Sequence, residues 1–139
     1  MAGLILVRDV MTKELRVVRR DTSVQEVVAT MNKYDISSII VVEGKRPIGI
    51  VTHKDIISKL VQTRIPPEAV TAREVMSSPV VAINENASVG EAARLMSKKR
   101  IKKLIVTRNN DELAGIITST DLVREEPKMT ELLDELLRK

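Results

Sequence analysis

Gly49-Ile50-Val51-Thr52-His53-Lys54-Asp55 and Gly115-Ile116-Ile117-Thr118-Ser119-Thr120-Asp121 are the two stretches that decide the fold. Each runs from a glycine through β-branched residues, the composition of a strand, into Thr-x-x-Asp, the spacing of a helix capping box. In such a box the threonine hydroxyl accepts from the amide three residues on, and the acid reaches back to the threonine amide. Each stretch therefore reads as a strand turning directly into a helix, and the two lie 66 residues apart.

Working outward, a shift of 65 pairs Arg8, Val10 and Met11 with Arg73, Val75 and Met76, and Ser23, Val24 and Glu26 with Ser88, Val89 and Glu91. It also pairs Met31, Lys33, Ile36, Ile40 and Val41 with Met96, Lys98, Ile101, Ile105 and Val106. With the four identities of the opening stretches, fifteen fall over the 50 positions from Arg8 to Ile57, so one unit is copied twice. The extra residue of the second copy falls where Glu43-Gly44-Lys45-Arg46 faces Arg108-Asn109-Asn110-Asp111-Glu112, a polar stretch that predicts a tolerant hairpin loop.

Leu15 to Val18 and Val80 to Ile83 read as short strands. Ser23-Val24-Gln25-Glu26 and Ser88-Val89-Gly90-Glu91 then open helices whose apolar residues (Val24, Val27, Val28, Met31; Val89, Ala92, Ala93, Met96) keep helical spacing. Ile36 to Val42 and Ile101 to Val106 are strands, with partners at Ile48 to Val51 and Ala114 to Ile117. The order β-α-β-β-α, twice, predicts an α+β fold with repeats at 1–64 and 65–125. Pro66-Pro67 ends the first repeat's second helix, and Thr71-Ala72-Arg73-Glu74 caps a short turn. The tail, 126–139, places Met129, Leu132, Leu133, Leu136 and Leu137 on one face of an amphipathic helix, expected to pack on its own domain or against a second subunit.

Composition excludes whole classes of chemistry. The 139 residues contain no cysteine and one histidine, which removes disulfides, thiolate nucleophiles and multi-histidine metal sites. Gly44-Lys45 lacks a glycine-rich loop before it, and no H-E-x-x-H or G-x-S-x-G occurs, so no catalytic residue is assigned and the chain is read as a non-enzyme. The longest apolar runs are too short to cross a bilayer and no secretory signal precedes them, so a cytoplasmic protein with no membrane partner is expected. Net charge is +4, and Lys98, Lys99, Arg100, Lys102, Lys103 and Arg108 supply a local basic patch. That patch, 98–108, is the basis of an alternative reading as a nucleic-acid-binding protein, although Tyr34 is the lone aromatic and offers no stacking platform.

The doubled glycine strand with Thr-x-x-Asp, the openings Val10-Met11-Thr12 and Val75-Met76-Ser77-Ser78-Pro79, and the strands Ile36-Ser37-Ser38-Ile39-Ile40-Val41-Val42 and Ile101-Lys102-Lys103-Leu104-Ile105-Val106 resemble a tandem cystathionine β-synthase (CBS) domain pair, or Bateman module. The resemblance spans about Arg8 to Val123; Ile40 and Ile105 replace the family's usual proline in the central strand. It implies two repeats about a pseudo-two-fold axis, a homodimer, and a stand-alone regulatory module. The implied ligand is an adenosine compound (AMP, ADP, ATP or S-adenosylmethionine) in inter-repeat clefts, with magnesium only beside a polyphosphate and no other metal. Binding would signal to an unidentified regulated protein by conformational shift.

On the resemblance, Thr52 and Thr118, with His53, Lys54, Ser119 and Thr120 beside them, meet phosphate or sugar. Asp55 and Asp121 hold ribose, and Ile36 and Ile101 flank adenine. The chemistry agrees, because a helix amino terminus carries free amides and about half a positive charge, and a carboxylate accepts from both hydroxyls of a diol. Carried across the pseudo-two-fold, Asp55 shares a cleft with Ile101, Lys102 and Lys103, which favour a phosphorylated ligand. Asp121 shares one with Ile36, Ser37 and Ser38, suited to a less charged adenosyl compound. Thr-x-x-Asp is also sufficient as a plain helix cap, which leaves a purely structural dimerisation module as a further alternative.

Overall fold

A computed structural model describes residues 4–125 and Leu137; apart from Leu137, the predicted carboxy-terminal helix lies outside the described residues. The chain forms α1 (Val7–Val10), β1 (Val17–Arg19), α2 (Val24–Tyr34), β2 (Ser38–Glu43), β3 (Arg46–Thr52), α3 (His53–Thr63), a 3-10 turn (Pro67–Ala69) and α4 (Ala72–Val75). It continues with β4 (Ala82–Asn84), α5 (Val89–Lys99), β5 (Lys103–Arg108), β6 (Glu112–Thr118) and α6 (Ser119–Glu125). The strands make two three-stranded sheets, β1-β2-β3 and β4-β5-β6. In each the first pair is parallel and the second antiparallel. Both hairpins shift register at the same place, between Val41 and Val42 and between Val106 and Thr107.

The residues explain these boundaries. Ser23 Oγ accepts from the Glu26 amide and Ser88 Oγ from the Glu91 amide, each at 3.1 Å, the serine half of a capping box. Both helices end alike. Asp35 and Arg100 take left-handed backbone at φ 52° and 56°, and the next amides, Ile36 and Ile101, donate back to Met31 O and Met96 O at 3.0 Å. This is the Schellman ending, in which the residue after the left-handed one packs on the helix's last turn. Ile36 and Ile101 therefore precede their strands instead of opening them, and each packs against its unit's core.

The packed bodies are not the sequence halves. Residues 16–80 form one compact unit, and residues 4–15 join residues 81–125 in the other. The expected cut at 64/65 follows the repeat in sequence; the packing cut falls at Leu15/Arg16 and Val80/Val81. The cause is an exchange of opening segments. Ala72 N–H donates to Thr22 O and Val24 N–H to Val70 O, both at 2.7 Å, so the second opening segment packs on the first repeat. Val7 N–H donates to Ala87 O at 2.8 Å and Val89 N–H to Ile5 O at 3.0 Å, so the first opening segment packs on the second repeat.

Each unit has its own aliphatic core. Val24, Val27, Met31, Ile39, Val41, Val51, Ala72 and Val75 are buried together in the 16–80 unit. Val7, Val89, Ala92, Ala93, Met96, Leu104, Val106, Ile117 and Leu122 are buried in the other. Tyr34, the lone aromatic, stays at the surface with the Arg16 guanidinium 3.9 Å over its ring. No helix among the described residues is long and apolar enough to cross a membrane.

Candidate functional site

Each unit turns its hairpin's last residue into the cap of its second helix. In the 16–80 unit, Asp55 Oδ2 accepts from Thr52 N–H at 2.9 Å and from Thr52 Oγ1 at 3.0 Å, while Thr52 Oγ1 accepts from Asp55 N–H at 3.2 Å. In the other unit Asp121 Oδ2 accepts from Thr118 N–H at 2.8 Å, and Thr118 Oγ1 accepts from Asp121 N–H at 3.3 Å. Both aspartates are half-buried and both complete the box. The cap reading is therefore real at both helix starts.

A cap does not exhaust a carboxylate. Two oxygens offer about four acceptor positions, and the box at Asp55 takes two of them, both on Oδ2. The third bond goes to Oδ1, which accepts from Ser77 Oγ at 2.9 Å. Ser77 is exposed, so this oxygen faces the edge of the unit with a replaceable hydroxyl on it. Ser77 lies in the opening motif, and its place beside Asp55 appears only once the Val75–Ser77 segment is folded back onto β3. There Ser77 and Ile50 exchange backbone hydrogen bonds of 2.8 and 3.1 Å, and Thr12 and Ile116 exchange bonds of 2.9 and 3.0 Å in the other unit. Lys59 adds a clamp that the sequence did not announce, its Nζ donating to Val75 O at 3.0 Å and Met76 O at 3.2 Å.

The start of each central strand is brought to the same place. His53 N–H donates to Ser37 O at 3.4 Å and Ser119 N–H to Lys102 O at 2.9 Å. Register sets Ser38 opposite Thr52 and Lys103 opposite Thr118. Within a unit, then, Ser37 and Ser38 accompany Asp55, and Lys102 and Lys103 accompany Asp121. Lys103 is half-buried, and the loss of water around its ammonium pulls its pKa below the usual lysine value. Ser119 is buried; Lys54, Thr120 and Lys102 are exposed.

His53 and Arg108 each have surroundings of their own. His53 lines an apolar cavity of about 140 Å³ with Val28, Met31, Asn32, Ile56 and Ile57, on the α2–α3 side of its unit. That is smaller than the ligand pockets of about 300–1,000 Å³ typical of proteins. Arg108 sits at the opposite end of β5 from Lys103, with its Nε 3.9 Å from Glu85 Oε1, so the basic run of the sequence is split in space. A wider hollow at the first hairpin, lined by Arg19, Arg20, Asp21 and Glu43, already pairs Arg20 with Glu43 at 3.2 Å. Among the described residues no three His, Asp or Glu side chains gather as a metal site.

Comparison with known proteins places this geometry. An uncharacterized protein of Methanopyrus kandleri is 36% identical over 115 residues, covering 82% of this chain; the chain spans 59% of that relative's length. A CBS domain pair solved in complex with 5′-methylthioadenosine and S-adenosyl-L-methionine is 28% identical, with a TM-score of 0.76 over 88% of this chain and 95% of that one. CBSX2, solved in complex with AMP, has a TM-score of 0.76 over 91% of this chain and 98% of its own, and at 21% identity shows the fold alone. The CBS domain profile matches twice, at residues 7–62 and 72–128. With the doubled β-α-β-β-α unit, the exchanged opening segments and the two capped helix starts, the chain belongs to the CBS domain family and carries that domain in tandem.

Proposed function

We propose that the chain is a regulatory module that binds adenosine compounds at the two Thr-x-x-Asp helix starts and signals through a change of conformation to a regulated protein. The observation that carries this is Asp55 Oδ1, a carboxylate oxygen left over from the cap and held, among the described residues, by the exposed Ser77 hydroxyl. A ribose hydroxyl replaces such a partner at small net cost, since one hydrogen bond is exchanged for another. The likeness to a CBS domain pair solved with 5′-methylthioadenosine and S-adenosyl-L-methionine supports the ligand class. The module is read as a binding protein and not an enzyme, with ATP or ADP bringing magnesium only through their own phosphates.

The register within each unit supports unequal sites. Lys103 beside Thr118 and Asp121 favours a phosphorylated ligand such as AMP or ATP, and Ser38 beside Thr52 and Asp55 favours a less charged adenosyl compound. Pairing each aspartate with the other repeat's strand, as the family resemblance implies, gives the opposite assignment, with the phosphorylated ligand at Asp55 beside Lys102 and Lys103. Ile57 and Val61, one turn apart on α3 and about two-thirds exposed, support the homodimer implied by the family resemblance.

The test is calorimetric titration of AMP, ATP, adenosine and S-adenosylmethionine against the whole protein and against Asp55→Asn and Asp121→Asn, with thermal midpoints measured in parallel. A tenfold or larger loss of affinity in one variant, beyond the modest fall in midpoint that a weakened cap produces, is expected. Lower midpoints with unchanged affinities leave the aspartates as caps alone and remove the proposal.

A further inference from the structure

The two repeats build the same turn after their first helix from residues of different charge, one acidic and three neutral in the first and four basic in the second. Tyr34, Asp35, Ser37 and Ser38 in one correspond to Lys99, Arg100, Lys102 and Lys103 in the other. Both turns use a left-handed residue, Asp35 at φ 52° and Arg100 at φ 56°, and both close with the same amide bond from the following isoleucine. The turn therefore needs neither sign of charge. A helix carboxyl end favours a cation, and Lys33 alone serves there in the first repeat. Arg100 and Lys102 lie beyond the helix end, where this reason stops.

We propose that Lys98, Lys99, Arg100 and Lys102 form a docking surface for the phosphate backbone of a nucleic acid. All four are exposed, and among the described residues none is ion-paired. Four like charges within five positions repel one another and stay together only at some expense of stability, which a polyanion relieves. A single small anion touches two or three such groups, whereas a backbone with a charge every few ångströms meets them all. Protein interfaces are depleted in lysine and centre on buried aromatic or aliphatic anchors. No large apolar side chain between residues 94 and 103 is exposed, so the surface has the polar, positive character of a nucleic-acid contact. With one aromatic residue in the whole sequence, it reads phosphates and not bases.

The test is fluorescence anisotropy of a labelled 30-base-pair DNA duplex of mixed sequence, titrated with the full chain between 50 and 200 mM salt. Four phosphate contacts lower the affinity about 150-fold over that range. Arg100→Asp with Lys102→Ser installs the residues that the first repeat carries at these places, so the fold is kept. It lowers the salt exponent by about 1.8 and the affinity at 50 mM about tenfold or more. Lys45→Ser with Arg46→Ser, at the first hairpin, leaves binding unchanged. If the double variant loses its thermal midpoint, Lys102→Ser alone supplies the same comparison. Binding that is absent or indifferent to salt, an equal loss in the hairpin control, or a polyglutamate peptide that competes as well as unlabelled duplex overturns the proposal.

Discussion

The Met76 side chain lies across Gly49 so closely that a β carbon there would overlap its sulfur, and Met11 stands in the same relation to Gly115. Two elements of the family pattern, the Val-Met pair and the glycine of the last strand, are thus one contact seen from its two sides. The glycine is required by close approach, since neither position has left-handed backbone.

The two glycines differ in what they meet. A β carbon on Gly115 comes within 2.6 Å of the Thr12 carbonyl oxygen as well as Met11, while on Gly49 the three atoms nearest to it all belong to the Met76 side chain. Both Gly49→Ala and Gly115→Ala are expected to destabilise by about 1–3 kcal/mol, with Gly115→Ala the worse because backbone cannot swing aside. Met76→Ala should recover part of the Gly49→Ala loss; Met11→Ala should recover little at Gly115. Urea unfolding of the four variants checks this, and equal recovery at both sites contradicts it.

Lys103 gives a stability dependence on the alkaline side. Burial lowers its folded pKa below the ordinary 10.5, so the charged form is disfavoured in the folded state. Between the folded value and 10.5 the unfolded chain binds more protons, and stability from this group rises with pH. Lys103→Met is expected to be more stable than the parent at pH 7, with the difference shrinking as pH approaches 10.5. A gap independent of pH refutes the assignment to charge burial.

Glu74 acts on the acid side. The Thr71 backbone amide first, and its hydroxyl second, donate to Glu74 Oε1 at 3.0 Å and hold its carboxyl below the usual value of 4.5. A depressed carboxylate stabilises above its unfolded pKa, and that stabilisation fades as pH falls through the folded one. Glu74→Gln should flatten the stability profile below pH 4.5 and leave it parallel to the parent above about pH 6. Identical acid limbs in parent and variant would count against the box at Thr71.

The exchange of opening segments sets which fragment folds. Residues 16–80 retain Val70, Ala72 and Val75 of their buried cluster, whereas a fragment 1–64 lacks all three. The 16–80 fragment is expected to show a cooperative thermal transition by circular dichroism, and the 1–64 fragment none. Similar transitions in both would show that the sequence repeat, and not the packed unit, folds as a body.

Much of this is legible in the sequence itself. The capping boxes at Thr52 and Thr118, the helical spacing behind Ser23 and Ser88, and the apolar central strands are local signals, and local signals survive folding. The exchange was not legible, because an internal shift of 65 aligns Met11 with Met76 but is silent on which glycine each one covers. Ser77 escaped for the same reason, since its bond to Asp55 spans 22 residues. Ile36 and Ile101 read as strand openings by their β-branching, yet the left-handed residue before each turns them back onto the preceding helix. The basic run looked continuous because sequence distance hides that a strand carries Lys103 and Arg108 to its two ends.

The pairing of Thr12 with Ile116 has a consequence for how the chain is made. Thr12 is synthesised before its hydrogen-bonding partner Ile116, which follows 104 positions later, roughly 5–20 s afterwards at ordinary translation rates. Throughout that interval Val7 and Met11 have no finished core to enter, while residues 16–80, which carry their own buried cluster, are free to close. Folding during synthesis therefore starts with the 16–80 unit, and Val7 and Met11, although made before it, settle after it.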